Sequence, residues 1–289
     1  MRSLVVISGL LPYNSGKTFF TLALADYLRR LGYSVGVVKP VAAHSFWEQY
    51  EYFLESRELG VLVGEDIVRY ARAGFIYDID SQNPVDIMTA PHDLMKHPSL
   101  DSYLTSLTSL MDQVVLARVS SGKRRNYYLI TNNLSRLSNH LANEVKEFAS
   151  SLGGAEEVDN LWLYNKLVSR EIDSLITEST NTIISRHDVI LCESFSNALL
   201  PTLGLRNLVK HVIVVTPSRA LVYGPGKVTT YLSAIDRLRT ETSFLVMLFK
   251  PDMILSIKPS TTYSEVLEEE EASKLVNYLL TTEIRVKEK

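Results

Sequence analysis

A single cysteine, Cys192, occurs in 289 residues. It excludes an internal disulfide, and alone it builds neither a cysteine zinc site nor an iron–sulfur cluster. A reducing, cytoplasmic compartment is the expectation. No apolar run approaches the ~20 residues that a spanning helix needs. The opening MRSLVVISGLLPYNSGK has too short an apolar stretch for a signal peptide. Neither sign of charge is in excess: 30 basic against 33 acidic side chains leave a net charge of −3. That balance excludes function by bulk attraction to nucleic acid or anionic membrane. The six histidines, at 44, 92, 97, 140, 187 and 211, include no pair at the i, i+4 spacing of a helical zinc protease motif.

What is present is an ordinary globular composition, 46% apolar and 22% charged, with length enough for a sizeable core. Short β-branched runs at 3–8 (SLVVIS), 34–39 (SVGVVK), 188–193 (DVILCE), 211–216 (HVIVVT) and 244–249 (FLVMLF) read as strands buried on both faces. Helical spacing fills 19–31, where Phe20, Leu24, Tyr27, Leu28 and Leu31 share a stripe, and recurs at 160–180, 221–240 and 268–280. This alternation predicts an α/β fold: one doubly wound, mostly parallel sheet with helices on both faces, in a single domain over 1–289. Residues 111–160 break the alternation and read as an insertion within that domain. They carry a basic loop (Lys123, Arg124, Arg125), an apolar run at 127–130, a helical stretch at 135–151 and the pair Gly153-Gly154.

The strongest motif is GLLPYNSGKT at 9–18, between a predicted strand and a predicted helix. In that context a glycine-rich turn ending in Lys-Thr is a phosphate-binding loop. Gly16 lets the backbone pass close to an oxyanion, and loop and helix N–H groups point at phosphate oxygens. Asn14, Ser15, Gly16, Lys17, Thr18 and Phe19 are the candidate nucleotide-binding residues. Lys17 supplies positive charge, and Thr18 offers a hydroxyl to Mg²⁺. The spacing is unusual, because Gly9 lies seven residues before Gly16.

Further motifs follow in order: Leu31-Gly32-Tyr33 before a strand that ends in Lys39-Pro40-Val41, then Asp66 opening a helix, Asn83-Pro84, Pro91-His92 and an acidic strand end at Glu193. With the GKT loop, this series resembles dethiobiotin synthetase and its relatives among the P-loop ATPases. The resemblance implies an ATP- and Mg²⁺-dependent enzyme that phosphorylates a carboxylate or carbamate, and by analogy a homodimer. It implies that Thr18, Asp66 and Glu193 organise the metal and that Lys17 and Lys39 are the catalytic charges. The series also departs from that family. Ala42, Ala43 and His44 follow the KPV motif, Ser194, Phe195 and Asn197 follow Glu193, and residues 249–251 hold no asparagine to read adenine. The implied acceptor therefore differs from the substrate of dethiobiotin synthesis and remains a small molecule to be identified.

Other readings are weaker. A nucleotide-dependent switch, with the insertion as its partner surface, is the alternative to the enzyme. A polynucleotide kinase would require nucleic acid at Lys123–Arg125, which reads better as a solvated loop. His44 and His92 could donate to a substrate or serve the core. The aromatic stretch 46–53 (FWEQYEYF) could line the acceptor pocket, form an interface or pack in the core. Cys192 reads as an inert buried thiol.

Overall fold

Near-continuous apolar runs become buried parallel strands because neither of their faces meets water. The computed structural model describes residues 3–234 and 241–286, with side chains from 4 to 282 in that range. Strand β1 (Ser3–Gly9) leads into α1 (Lys17–Arg30) and β2 (Val35–Val38). Next come β3 (Val41–Ser45), α2 (Tyr50–Leu59), α3 (Glu65–Arg72), α4 (Ile79–Gln82) and β4 (Val85–Thr89). Two short helices, α5 (Leu100–Ser106) and α6 (Leu110–Gln113), precede the hairpin of β5 (Val114–Ser121) and β6 (Arg124–Ile130). Then follow α7 (Thr131–Leu134), α8 (Asn139–Ser151), β7 (Glu156–Val158), α9 (Asn160–Leu167), α10 (Arg170–Ile184) and β8 (Val189–Glu193). The chain continues through β9 (Val209–Thr216), β10 (Arg219–Tyr223), α11 (Pro225–Ala234), α12 (Thr242–Leu248), β11 (Met253–Ser256) and α13 (Glu269–Val286).

The fold is α/β, with two sheets flanked by helices where the sequence suggested one. The first has the order β11-β10-β9-β1-β8-β2. Its β9-β1-β8-β2 part is parallel, whereas β10 and β11 run antiparallel at one edge. The second has the order β3-β4-β5-β6-β7, parallel at its two ends and antiparallel between. The chain divides into two compact units around these sheets: Met1–Pro40, Tyr70–Tyr77 and Ile176–Lys289, against Val41–Arg69 and Asp78–Leu175. Residues 111–160, read as an insertion, supply β5, β6 and β7 of the second sheet.

The second sheet escaped the sequence reading because polar residues sit inside its strands. His44 on β3, Asp86 on β4 and Arg118 on β5 are all buried. Arg118 donates to Leu62 O (2.9 Å), Ser120 Oγ (2.6 Å) and Asn83 Oδ1 (2.6 Å). Buried polar groups with such partners are tolerated, but they erase the apolar signature of a strand. The basic loop is the β5–β6 hairpin turn. Arg125 there meets Asp80 Oδ1 at 2.8 Å and Oδ2 at 3.1 Å, so part of its charge is already matched. The aromatic stretch is core in part: Phe46 and Phe53 cross edge-on at 4.4 Å and Phe53 meets Phe148 at 5.2 Å, whereas Trp47 and Tyr50 are exposed.

Two element assignments change. The run 244–249, expected as a strand, lies mostly in helix α12. Six apolar residues cannot separate a strand from one buried turn of helix; here Leu245 is buried while Met247 and Leu248 are 71% and 66% exposed. The expected helix at 221–240 begins only at Pro225, which suits a first helical turn because it has no N–H to leave unpaired. Residues 221–223 belong to β10, and 235–240 lie outside the described residues.

Candidate functional site

Parallel pairing brings the carboxyl ends of β1, β8 and β2 to one edge of the first sheet: Ile7 lies opposite Glu193, and Val38 opposite Cys192. Ligands in open α/β sheets bind at that edge. The 9–18 loop leaves β1 there, and Lys39 follows the last residue of β2.

Within the loop, Asn14 has φ 53° and Gly16 φ 91°, both left-handed. Gly16 is the cap residue of α1, so no capping side chain crosses the start of the helix. The N–H groups of a first helical turn and the helix dipole favour an anion at such an end. Ser15 and Lys17 are buried, Thr18 and Phe19 half-buried, and Asn14 and Gly16 exposed. The Lys17 ammonium donates to Ser15 Oγ (3.2 Å) and to the carbonyl of Ser196 (3.0 Å). Gly9, the irregular first glycine, has a steric reason. A Cβ at Gly9 would lie 2.5 Å from Ser15 Oγ and 2.8 Å from Lys17 Nζ.

Glu193 is the centre of the site and is almost wholly buried. Its Oε1 accepts from Lys39 Nζ at 2.6 Å and from Thr18 Oγ1 at 3.3 Å. Its Oε2 accepts from the hydroxyl of Tyr70, which is completely buried. A carboxylate and an ammonium withdrawn from water together require such additional donors to offset desolvation. Cys192, next along β8, is inert: burial first, and then the charge of Glu193, pushes its thiol well above the ordinary range.

The structure thus brings together Lys17, Thr18, Lys39 and Glu193 of the residues singled out from sequence. Asp66 is half-buried on α3, in the part of that helix assigned to the second unit. His44 is also in the second unit, its Nδ1 3.0 Å from Asp86 Oδ1. His92 there sits between Asp112 O (2.6 Å) and His97 Nε2 (3.1 Å), and burial lowers its pKa. Tyr70 and Ser196 were not foreseen. Ser196 follows Glu193 by three residues, and its left-handed φ of 49° is invisible in composition. Tyr70 reaches Glu193 across 123 residues, and nothing local marks it.

Magnesium takes hard oxygen ligands and keeps several waters beside one or two protein groups and the substrate phosphates. The Thr18 hydroxyl and the Glu193 carboxylate fit that chemistry. Lys39 already lies against Oε1 and opposes a second cation on that atom, so the Thr18 hydroxyl is the more accessible oxygen. No cluster of three or more His, Cys, Asp or Glu side chains among the described residues makes an all-protein metal cage. No described helix is long and apolar enough to cross a membrane.

No known family model matches the chain, and no curated protein matches it. Among solved structures, a KaiC-like protein from the hyperthermophilic archaeon Pyrococcus horikoshii OT3 is similar over 92% of this chain and 88% of its own, at 10% identity. Its TM-score is 0.28, a likeness too slight to bear on fold or function.

Proposed function

We propose that the 9–18 loop binds the phosphates of Mg-ATP, and that the protein uses ATP to phosphorylate a carboxylate or carbamate on a small acceptor, as the enzymes it resembles do. One observation carries this reading. A buried lysine folds back over a glycine-opened helix start, and the next residue, Thr18, bonds to a carboxylate that is itself paired with Lys39. ATP supplies the transferable phosphoryl group. An acceptor oxygen forms a bond to the terminal phosphorus while the bond to the bridging oxygen breaks and ADP departs. Negative charge spread over the phosphoryl oxygens is what Lys17 and Lys39 stabilise. The Thr18 hydroxyl would hold the metal, and Glu193, bonded to Thr18 and paired with Lys39, would orient that hydroxyl; Asp66 and the homodimer rest on the resemblance alone.

A second reading, a nucleotide-driven switch acting on a protein partner, is favoured by one set of contacts. The Ser196 carbonyl that holds Lys17 belongs to a loop whose Asn197 carbonyl accepts from Thr242 N at 2.9 Å, while Ala198 bridges to Glu241. That loop therefore ties the lysine to the start of α12, which presents Met247 and Leu248 to solvent.

Calorimetric titration of wild type and Lys17→Ala with Mg-ATP tests the proposal. Wild type binds; the variant, still folded, loses about 100-fold in affinity, since a charged hydrogen bond contributes up to about 3 kcal/mol. Equal affinity in the two proteins removes the phosphate-loop reading. Hydrogen exchange on the same samples separates the two functions. Faster exchange at 194–199 and at the start of α12 with nucleotide supports the switch. Turnover stimulated by a carboxylate metabolite, with that exchange unchanged, supports the synthetase.

A further inference from the structure

We propose that Ser102 is an activated nucleophile for acyl transfer from a small carboxylic ester, with His97 as its general base and His92 as the positioning residue behind that base. The site is independent of the 9–18 loop, because all three residues lie in the second unit. His92 Nε2 meets Asp112 O at 2.6 Å, His92 Nδ1 meets His97 Nε2 at 3.1 Å, and His97 Nδ1 meets Ser102 Oγ at 3.1 Å. Two imidazoles are too few for a metal cage, and among the described residues no third His, Cys, Asp or Glu joins them in one.

The direction of these bonds follows from their inner end. A carbonyl only accepts, so His92 Nε2 carries a proton. A second proton, on Nδ1, would make the ring an imidazolium. Burial weighs most heavily against that charge, Arg136 and His97 add to it, and together they outweigh Asp112, so the pKa of His92 is lowered. His92 Nδ1 is therefore an acceptor, and His97 Nε2 is the donor to it. In a neutral imidazole the other nitrogen then accepts, so His97 Nδ1 receives the Ser102 hydroxyl proton in a hydrogen bond. A serine bonded to a base that a third group orients is the arrangement of an activated nucleophile. The series also opens outward: His92 is buried, whereas His97 and Ser102 are half-buried.

In the reaction, Ser102 Oγ bonds to the ester carbonyl carbon while its proton passes to His97 Nδ1. The bond from that carbon to the alcohol oxygen breaks, and the alcohol leaves with the proton. Water then adds to the acyl-serine by the same route, releasing the acid and returning a proton to Ser102. His92 touches no substrate; it fixes the tautomer of His97.

The probe is p-nitrophenyl acetate, with release of p-nitrophenol followed by absorbance and the acetylated residue located by mass spectrometry. Wild type should carry acetyl on Ser102. His97→Ala should slow that acetylation by about 100-fold or more, the share of a general base. His92→Phe should slow it too, and should add nothing to His97→Ala, because the two act as a unit. His92→Gln keeps an amide donor for Asp112 O and an oxygen acceptor for His97 Nε2, and should restore most of the rate. No acetyl group on Ser102, or an equal rate in His97→Ala, overturns the proposal. Losses of the same size in His92→Gln and His92→Phe mark His92 as merely structural and overturn its positioning role. Ser102 and His97 are half-buried, so the His97→Ala comparison decides the matter even where His92→Phe fails to fold.

Discussion

Gly9 closes β1 where Ser15 and the Lys17 ammonium curl back across the chain. A methyl group there meets two flexible side-chain ends and, at 3.2 Å, the Leu11 carbonyl. Gly9→Ala should therefore cost little stability, because Ser15 and Lys17 can swing aside. Moving Lys17 should nevertheless weaken Mg-ATP binding by about 10-fold, the lower range for one charged hydrogen bond. Thermal unfolding and calorimetry on one preparation check both halves. At this scale the Lys-Thr pair and Gly16 were legible, because a turn from strand to helix is a local device built from consecutive backbone. The place of Gly9 was not, since its reason is a side chain eight residues later.

Elements reveal the limits of periodicity. α1 was readable because Phe20, Leu24, Tyr27 and Leu28 recur at helical spacing and are buried as expected, while Leu31, placed on the same stripe, caps the helix and is exposed. β3, β4 and β5 were not, because His44, Asp86 and Arg118 interrupt them with polar side chains, and Arg118 finds partners as distant in sequence as Leu62 and Asn83. The α4–β5–β6 corner shows how much rests on such pairing. Asp80 on α4 accepts from Ser120 Oγ at 2.7 Å and from Arg125, with Arg118 Nη1 at 3.7 Å. Burial works against the charged form of Asp80, yet the bonds from Arg125 and Ser120 outweigh it and hold the carboxyl below its ordinary value. Asp80→Ala leaves the wholly buried Arg118 with less negative charge beside it and should destabilise the protein by about 3 kcal/mol. Urea unfolding checks the figure; a change under about 0.5 kcal/mol, the surface-substitution range, would show that this corner contributes nothing.

For the whole molecule, one buried histidine shapes acid stability. His211 on β9 donates to or accepts from Thr282 Oγ1 at 2.8 Å, beside Tyr278, with Lys210 and Asp252 as the charged groups acting on it. Burial lowers its pKa from 6.5 to about 4. Above pH 6.5 neither the folded nor the unfolded chain protonates it. Between those values the unfolded chain takes a proton that the folded chain refuses, so stability falls as pH falls. This group alone contributes a slope of about 1.4 kcal/mol per pH unit. Denaturant melts at pH 7 and pH 5 should show a smaller acid loss in His211→Leu than in wild type; equal losses would place the acid sensitivity elsewhere.

Order along the chain was enough to show an α/β protein with a glycine-opened loop between its first strand and first helix. Apolar runs and a Gly-Lys-Thr turn are properties of neighbours, and neighbours are written consecutively. It took folding to bring Thr18, Lys39, Tyr70 and Glu193 into one bonded group, to split the strands between two sheets, and to turn 244–249 from strand to helix. Those outcomes depend on which distant partners satisfy a buried charge or cover an apolar face, and no local window of residues contains that information.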